Sequence, residues 1–326
     1  MQFSLDDDQL AMRDAARAVC DDHLDLANVA QREGRPAGSA AWNALAHLGV
    51  FELLAEGSSV GIVEAAVVFE ELGAHLATGP VLWSTLAGSL PGGAAGSAPV
   101  AGIVADDQVA PGQPIVVEHL AEADSVLILR ADAVERCAAD DLASAPSDAP
   151  LDPLTPCSVL DAMPVGERVG DAAAAHALRR SGRVLNAAML VGGAQGALTV
   201  ARDYALEREQ FGVPIGSFQA IKHLLADMYV RVELARAAAY AAAALVAGRG
   251  ADDPDRATSA AKLLAGEAAI ANARTAVQVL GGMGFTWDML PHYFLKRAWT
   301  LEHAFGTSSS HAESLGTALG AEVLAS

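Results

Sequence analysis

Basic residues are scarce in this sequence of 326 residues. It contains 21 lysines and arginines against 40 aspartates and glutamates, which gives a formal net charge of −19. Nucleic acids and anionic membranes are bound through clustered cations, so this balance argues against both kinds of partner. A polyanionic ligand would have to be held by a few local arginines or lysines.

Cysteines and long apolar runs are also scarce. Cys20, Cys137 and Cys157 stand at spacings that fit no metal motif and no paired framework, so we expect free thiols. The nine histidines likewise show no ligand spacing, and we predict no metal site. We find no apolar stretch of the roughly 18 residues that span a bilayer, and residues 1–8 do not resemble a signal peptide. These features predict a cytoplasmic protein.

Aromatic residues make up only 5% of the chain, whereas 52% of it is hydrophobic and much of that is alanine. This composition favours helices that pack closely through small side chains. Residues 1–88 are predicted to form an N-terminal helical domain with three helices. The first follows a capping box at Ser4 and Asp7 and runs from Leu10 to about Asp22; the second passes Trp42, Leu45 and Leu48 and stops at Gly49; the third runs from Ile62 to Leu72 and stops at Gly73.

The pattern changes in residues 89–170, which we predict to be a short β domain. Its expected strands are Val100–Val104, Pro114–Val117 and Ser125–Leu129, and residues 138–155 are expected to be loop. Residues 171–326 return to a helical pattern. The expected helices cover about 172–209 as one helix or two, Ser217 to Ala247 with Ser217 as the cap, Pro254 to Gly281, and a last region from Pro291.

The fold class is therefore α+β and mostly α. The predicted order is a helical domain, an abbreviated β domain and a C-terminal four-helix bundle. A glycine-rich string, Val191 to Gly196, follows helical rather than strand sequence, so we interpret its glycines as close-packing positions in a helix.

Two strings in the helical part contain residues suited to a diphosphate ligand. The first lies in the helix–turn–helix from Tyr204 to Met228 and reads Arg208, x, Gln210-Phe211-Gly212, x, Pro214-Ile215, then Phe218-Gln219. An arginine at a helix end satisfies carbonyls and the helix dipole, but its guanidinium also matches phosphate oxygens. The second string runs from Gln278 to Phe285 with Gly-Gly-x-Gly at its centre. It is either an ordinary C-cap and turn or a backbone that can approach a phosphate.

Together the two strings resemble the signature of the flavin-dependent acyl-CoA dehydrogenase family, and the order helical, β, helical is similar to its architecture. In that family these positions reach across a subunit interface to the adenine and diphosphate end of FAD. The resemblance therefore implies FAD as the cofactor. The candidate FAD contacts are Arg208, Gln210, Phe211, Ile215, Phe218, Gln219, Gln278, Leu280, Gly281 and Gly282.

The family's catalytic base has no equivalent in this sequence. A carboxylate must remove the α-proton of the thioester while the flavin takes hydride from the β-carbon. Alignment on Gly306-Thr307 puts Phe305 at the usual base position, and alignment on Arg297 puts Gly306 there. The alternative position, before Arg183, is Gly182. No side chain at these three positions can accept a proton.

Other family elements are absent as well. The Thr-Glu-Pro and Gly-Ser-Asp segments and the Trp-containing strand, which hold the flavin ring and thioester, have no counterpart in the predicted β domain. Arg297 resembles the arginine of the family's Arg-Asp pair, but Ala298 follows it.

Three hypotheses follow. The first is a non-catalytic subunit of a heteromeric acyl-CoA dehydrogenase of α2β2 type, similar to actinobacterial steroid side-chain dehydrogenases. A partner would supply the base and the flavin-ring site, and the complex would use an acyl-CoA substrate and an electron-transfer acceptor. The second is a self-sufficient homo-oligomer with a displaced base such as Glu302. The third is a flavin-free scaffold that keeps only the helical association surface.

Overall fold

The structure is a computed structural model that describes residues 5–90, 98–105 and 113–325, the last five of these by backbone alone. Four α-helices come first: α1 (Asp7–His23), α2 (Ser39–His47), α3 (Ile62–Ala74) and α4 (Val81–Gly88). Helix α1 begins with a capping box between Asp6 and Gln9, because each side chain bonds the other residue's backbone N–H. The predicted box at Ser4 and Asp7 is wrong at Asp7, which is the first helical residue, and Ser4 lies outside the described residues.

Seven short strands follow: β1 (Val100–Val104), β2 (Ile115–Glu118), β3 (Ser125–Leu129), β4 (Val134–Ala138), β5 (Ala145–Pro146), β6 (Cys157–Leu160) and β7 (Glu167–Gly170). They form a four-stranded sheet in the order β1-β3-β4-β7 and a three-stranded sheet in the order β2-β6-β5. Strands β1 and β3 are parallel and the other pairs are antiparallel. The three strands that the sequence predicts are present within one residue of these positions, whereas β4, β5, β6 and β7 are not predicted, and β5 lies in the segment expected to be loop.

The C-terminal part is helical. It consists of α5 (Ala172–Glu207), a hairpin of β8 (Glu209–Gln210) and β9 (Val213–Pro214), then α6 (Gln219–Val246), α7 (Pro254–Leu280), α8 (Pro291–His303) and α9 (Ser308–Ala325). Helix α5 is continuous. Ser217 does not cap α6, which starts at Gln219 without a side-chain cap; the Ser217 hydroxyl instead donates to the Pro214 carbonyl at 2.7 Å.

Helix α5 lies at the centre of the molecule, between α3 on one side and α6 and α7 on the other. Its length and composition would suffice to cross a membrane, contrary to the expectation from sequence, but 78% of its apolar window is buried inside the protein. A continuous core joins it to the N-terminal helices and to residues of β1, β3 and β4. The apolar character of α5 therefore reflects burial on several sides by the rest of the chain.

Close packing of α3 on α5 depends on glycines. A Cβ at Gly73 would lie 2.1 Å from the Met189 carbonyl oxygen, and one at Gly192 would lie 1.9 Å from the Glu70 carbonyl oxygen. Gly73 is the penultimate residue of α3, which ends at Ala74, so the predicted end of this helix is within one residue of the observed one. The close-packing interpretation of Gly192 agrees with this contact. Gly193, next to it, has open space around its Cβ direction.

These neighbouring glycines give a matched test. Gly192→Ala should lower the free energy of unfolding by about 1–3 kcal/mol, because α3 and α5 must separate to admit the methyl group. Gly193→Ala should raise the free energy of unfolding by about 0.5–1 kcal/mol, because alanine favours the helix and meets no neighbour. Urea unfolding followed by circular dichroism measures both values, and equal effects would contradict the close contact.

Candidate functional site

The Arg208 turn is a tight hairpin held by backbone bonds. The Arg208 N–H donates to the Tyr204 carbonyl, and the Ile215 N–H donates to the Arg208 carbonyl at 2.7 Å. Phe211 and Gly212, between the two strands, have φ angles of +56° and +80°. Two successive positive angles are those of a type I′ turn, and they cost a residue with a side chain on the order of 1 kcal/mol. The fold thus holds Phe211 in a strained conformation.

Side chains of this turn project into solvent. Phe211 is 93% exposed and Phe218 is 37% exposed, and their rings meet edge to face with centroids 6.2 Å apart. Arg208, Gln210 and Gln219 are also exposed, and within the described part of the chain the Arg208 guanidinium forms no ion pair. Ile215 is half-buried. An exposed aromatic pair beside an unpaired arginine is suited to a ligand or partner with an aromatic ring and an anion.

The glycine-rich turn after α7 is the second candidate segment. Gly281 takes a φ angle of +61°, and residues Gly281–Phe285 form a 3₁₀ turn. Gln278 and Gly282 are exposed, and no atom lies within 4 Å of the position of a Cβ on Gly282. The Leu280 side chain is 3% exposed and belongs to the core, so only its backbone could contact a ligand.

Helix directions bring the two segments to the same end of the bundle. Helices α5 and α7 are parallel, because Arg180 pairs with Asp255 near their starts and Asn272 donates to the Ala194 carbonyl further along. Asn272 also donates to the Met228 carbonyl of α6, which runs back against them. These hydrogen bonds place Asn272 and Met228 side by side. Gly282 lies ten residues after Asn272 along the chain, and Phe218 lies ten residues before Met228. At 1.5 Å per residue both therefore lie about 15 Å from the Asn272 contact, at the same end of the bundle.

The ring of Phe305, at one expected base position, occupies the space where a side chain at the other position, Gly182, would lie. Phe305 lies directly over Gly182, and a Cβ on Gly182 would be 2.2 Å from the Phe305 ring. The Phe305 ring is 4% exposed, packs beside the Trp83 indole with centroids 5.0 Å apart, and has a backbone φ of +59°. The two positions at which the family resemblance looks for a carboxylate are therefore in contact, and an aromatic ring occupies the space between them.

The corner that carries Phe305 is held by buried polar groups that sequence reasoning missed. Lys262 is 1% exposed, and its ammonium donates to the Asn186 side chain and to the carbonyls of Leu301 and Glu302. Burial lowers the Lys262 pKa to about 7. His311 is 3% exposed and its Nε2 lies 3.1 Å from the Phe305 carbonyl. The sequence feature that could have indicated this buried corner is the single lysine, Lys262, within the alanine-rich helix α7.

Glu302 does not face this corner. Its carboxylate accepts a hydrogen bond from the Ser308 N–H at the start of α9, and it lines a groove between α6 and α7. It thus caps α9, and its second carboxylate oxygen lies 4.0 Å from His303 Nε2. Gly306, the remaining expected base position, has a φ of +103°, and a Cβ there would lie 2.8 Å from His311 Nε2.

Arg297 forms a buried ion pair with Asp152 of the β region. Its Nε donates to Asp152, and its Nη1 donates to the Ala77 carbonyl at 2.6 Å. Asp152 is 1% exposed and also accepts from Thr155 at 2.7 Å. Burial would raise the Asp152 pKa, but Arg297 and these bonds bring it below its ordinary value. Residue 152 lies in a segment that we expected to be loop, so sequence could not pair it with Arg297.

A metal centre is not evident in the ranges 5–90, 98–105 and 113–325, where no group of three His, Cys, Asp or Glu residues is placed to hold an ion. The three cysteines are free thiols, with Cys20 buried and the other two half-buried.

Two family models match this chain. The acyl-CoA dehydrogenase N-terminal domain matches residues 6–95, and the acyl-CoA dehydrogenase C-terminal domain matches residues 170–320. The two matches thus indicate one class of protein. The chain belongs to the acyl-CoA dehydrogenase family.

Relatives by sequence match over part of their length. Acyl-CoA dehydrogenase FadE34 of Mycobacterium tuberculosis is 43% identical over 143 residues, which are 44% of this chain and 19% of that protein. Acyl-CoA dehydrogenase IpdE2 of the same organism is 41% identical over 115 residues, which are 35% of this chain and 34% of that protein. The matched segments thus span from about a fifth to a third of the length of these two relatives.

Solved structures match over nearly the whole chain. The ChsE4–ChsE5 complex from Mycobacterium tuberculosis contains a chain with a TM-score of 0.83 and 24% identity, with 98% of this chain and 99% of that chain covered. Butyryl-CoA dehydrogenase from Megasphaera elsdenii gives a TM-score of 0.79 and 18% identity, with coverage of 98% and 100%. These similarities show the acyl-CoA dehydrogenase fold, mostly helical with small sheets.

The contact of Phe305 with Gly182 can be tested by a double-mutant cycle. Gly182→Ala should lower the free energy of unfolding by about 1–3 kcal/mol, because the new methyl group overlaps the ring. The same substitution should cost less in a Phe305→Leu background, where the ring is gone. Urea unfolding of the four proteins measures the coupling. Equal costs in both backgrounds would show that the residues are not in contact.

His311 predicts a pH dependence of stability. Burial, with Arg183 and Lys262 nearby, lowers its pKa to about 4 in the folded protein, below the value of about 6.5 for an unfolded histidine. The unfolded chain therefore binds the proton first as the pH falls below about 6.5, and stability falls by about 1.4 kcal/mol per pH unit toward pH 4.

Carboxylates also titrate in this pH range, so the test compares the pH profiles of two histidine variants with that of the parent protein. His311→Gln should remove this part of the loss between pH 7 and pH 4.5 in urea unfolding. His303→Gln, at an exposed position of α8, serves as the control and should keep the parent's pH profile. An identical profile for His311→Gln and the parent would contradict the buried, neutral histidine.

Proposed function

We propose that this chain is the non-catalytic subunit of a FAD-dependent acyl-CoA dehydrogenase, an oxidoreductase that desaturates an acyl-CoA thioester between its α and β carbons. The observation that carries the proposal is the contact of Phe305 with Gly182. Both positions that could hold the family's base lack a carboxylate, and the Phe305 ring fills the space between them. A partner chain with its own carboxylate would perform the proton abstraction.

The residues that this chain would contribute to FAD remain exposed at one end of the bundle. The Arg208 guanidinium would hold the diphosphate, Phe211 and Phe218 offer aromatic faces to the adenine, and the backbone at Gly281 and Gly282 can approach phosphate oxygens closely. The other candidates, Gln210, Ile215, Gln219 and Gln278, surround them, and Leu280 can contribute through its backbone alone. When bound, FAD supplies the hydride acceptor.

The exposed side chains of the Arg208 turn support the binding of a partner chain at this turn. Phe211 and Phe285 are 93% and 85% exposed, and within the described residues the Arg208 guanidinium has no ion-pair partner. Two similar solved structures are titled as complexes of two gene products, ChsE4–ChsE5 and the Tcur3481–Tcur3483 steroid acyl-CoA dehydrogenase. By that similarity we propose an α2β2 heterotetramer that acts on a steroid or other bulky acyl-CoA, passes electrons to an electron-transfer protein and works in the cytoplasm.

The self-sufficient homo-oligomer is the second candidate. It would need Glu302 as the base, yet the Glu302 carboxylate bonds the Ser308 N–H and lines a groove on another side of α7. A flavin-free scaffold would have no need of Arg208, Phe211 and the glycine-rich turn together. Both alternatives are therefore less well supported than the subunit of a heteromeric enzyme.

The experiment is to purify the chain alone and co-expressed with candidate catalytic acyl-CoA dehydrogenase chains of its own organism, and to measure flavin per chain and turnover of acyl-CoA thioesters. In the active complex, Arg208→Ala should weaken FAD retention by about tenfold, because one charge-assisted contact to phosphate is lost. Arg202→Ala is the control, since Arg202 is exposed on the same helix and pairs with Asp203.

Glu302→Gln separates the first two hypotheses. The heteromeric enzyme should keep its turnover, whereas a base at Glu302 would lose it. A flavin-loaded and active homo-oligomer of the chain alone would overturn the proposal. Flavin absent from both preparations would instead favour the scaffold.

A further inference from the structure

A groove between α1, α3, α5 and α6 has no role in the function proposed above. Its volume is about 830 Å³, and residues of all four helices line it together with Leu5 and Leu26. We call it the α1 groove. Thr199 of α5 is one of its lining residues and comes nine residues before Arg208, so it lies about 13 Å from the Arg208 turn along the helix axis. The α1 groove is therefore separate from the candidate FAD contacts.

The carboxylates that line the α1 groove are all paired with arginine. Glu70, which is 8% exposed, accepts from Arg236 Nε at 2.8 Å, and Arg236 also donates to Glu233. Glu71 accepts two hydrogen bonds from Arg17, at 2.7 and 3.1 Å. Four arginines and these three glutamates line the groove, which gives it a formal charge of +1 in a chain whose net charge is −19. No lining glutamate is left unpaired to repel an anion.

Arg13 and Arg17 offer N–H groups on the α1 wall. They are four residues apart and so lie on the same face of the helix. Among the described residues, Arg17 binds Glu71 through Nε and Nη2 and leaves Nη1 without an acceptor. Arg13 bonds only the adjacent Asp14, whose side chain is 63% exposed. An exposed pair of this kind contributes at most about 1 kcal/mol. Arg13 can therefore exchange Asp14 for an anion that also binds Arg17.

Thr199 offers a hydroxyl group on the α5 wall. Its oxygen accepts from Gln195 Nε2 at 3.3 Å, and its own O–H finds no acceptor in the part of the chain that the structure describes. Three other helical threonines, Thr275, Thr300 and Thr317, donate to the carbonyl four residues before them. The Thr199 hydroxyl thus keeps a donor for a group inside the groove.

The remaining lining includes apolar side chains. Leu5, Leu26 and Val200 are half-buried and line the groove beside these donors. Small-molecule sites typically combine apolar walls with a few converging polar groups in about 300–1,000 Å³. The α1 groove has this combination, with N–H and O–H donors from two helices and carboxylates that are already paired.

We propose that the α1 groove binds an organic phosphate. The phosphate group accepts from Arg13, from Nη1 of Arg17 and from the Thr199 hydroxyl, and the carbon part lies against the apolar side chains. A phosphate monoester has three oxygens that accept strongly, one for each donor, whereas a carboxylate has two in one plane. Guanidinium groups also match phosphate oxygens in geometry. The groove is built by this chain alone and does not depend on FAD or on a partner chain.

Calorimetric titration of the full-length chain tests this assignment with three probes, phenyl phosphate, inorganic phosphate and phenol, at one ionic strength. Phenyl phosphate should bind, and phenol should give no saturable binding because it lacks the anion. Phenyl phosphate should also bind about tenfold more tightly than inorganic phosphate, because burial of roughly 50 Å² of its ring is worth about that factor.

Two variants test the donors. Arg13→Gln should weaken the binding of phenyl phosphate by about tenfold, because one charge-assisted hydrogen bond is lost, and Thr199→Val should weaken it by about threefold. Arg35→Gln is the matched control, since Arg35 is exposed, does not line the groove and carries the same charge. It should keep the affinity of the parent. Circular dichroism of each variant checks that the fold is unchanged.

Several results would overturn the proposal. Absence of phenyl phosphate binding would show that the groove takes no phosphate. Equal losses in Arg13→Gln and Arg35→Gln would show an effect of net charge alone. Binding that is lost in Arg208→Ala but kept in Arg13→Gln would place the phosphate at the Arg208 turn. Equal affinities for phenyl phosphate and inorganic phosphate would overturn the role of the apolar side chains.

Discussion

The buried ion pair of Arg297 with Asp152 is the interaction on which the arrangement of this chain depends. Arg297 belongs to α8, Asp152 to the β region and the Ala77 carbonyl to the N-terminal helices, so one guanidinium joins all three parts. A buried ion pair gains little net free energy, but the loss of one partner leaves a charge in a medium of low polarity, which costs several kcal/mol. The pair therefore fixes which carboxylate lies beside α8, and with it the position of the corner that carries Phe305.

Packing around that corner follows from the same constraint. At the end of helix α8 the Lys262 ammonium donates to the carbonyls of Leu301 and Glu302. The chain then turns through positive φ angles at Phe305 and Gly306. These angles point the Phe305 ring toward Gly182. A carboxylate at either base position would have to enter a space already surrounded by Trp83, the ring and a buried cation. The Phe305–Gly182 contact and the turn at Phe305 and Gly306 therefore form one structural feature.

Much of the fold could be predicted from sequence, because helical periodicity is regular over α5, α6 and α7 and because three strands are rich in β-branched residues.

The differences between prediction and structure have physical causes. The predicted end of α3 at Gly73 is one residue short of the observed end at Ala74, and the glycine pattern alone does not predict that this residue also contacts α5. Strand β6 pairs with β2 and β7 pairs with β4, which are not their neighbours in sequence, whereas β4 forms a hairpin with β3 but carries polar residues. The Phe305–Gly182 contact and the Asp152–Arg297 pair join residues more than 100 positions apart, and no local pattern predicts such a contact. The two candidate FAD strings stand out by their residue order, but the helix directions are needed to see that they share one end of the bundle.

The parallel direction of α5 and α7 has a consequence for how charge acts at that end. Both helices present their carboxyl ends there, each with about half a negative elementary charge, whereas α6 begins there with a positive end. The whole chain adds its net charge of −19. An anionic molecule approaching from a distance is repelled, and it meets Arg208 only within a few ångströms. Because the Debye length is about 8 Å at physiological ionic strength, dissolved ions screen the distant repulsion more than the close contact. Moderate salt should then speed the arrival of an anion at this end, the opposite of what a basic site would show.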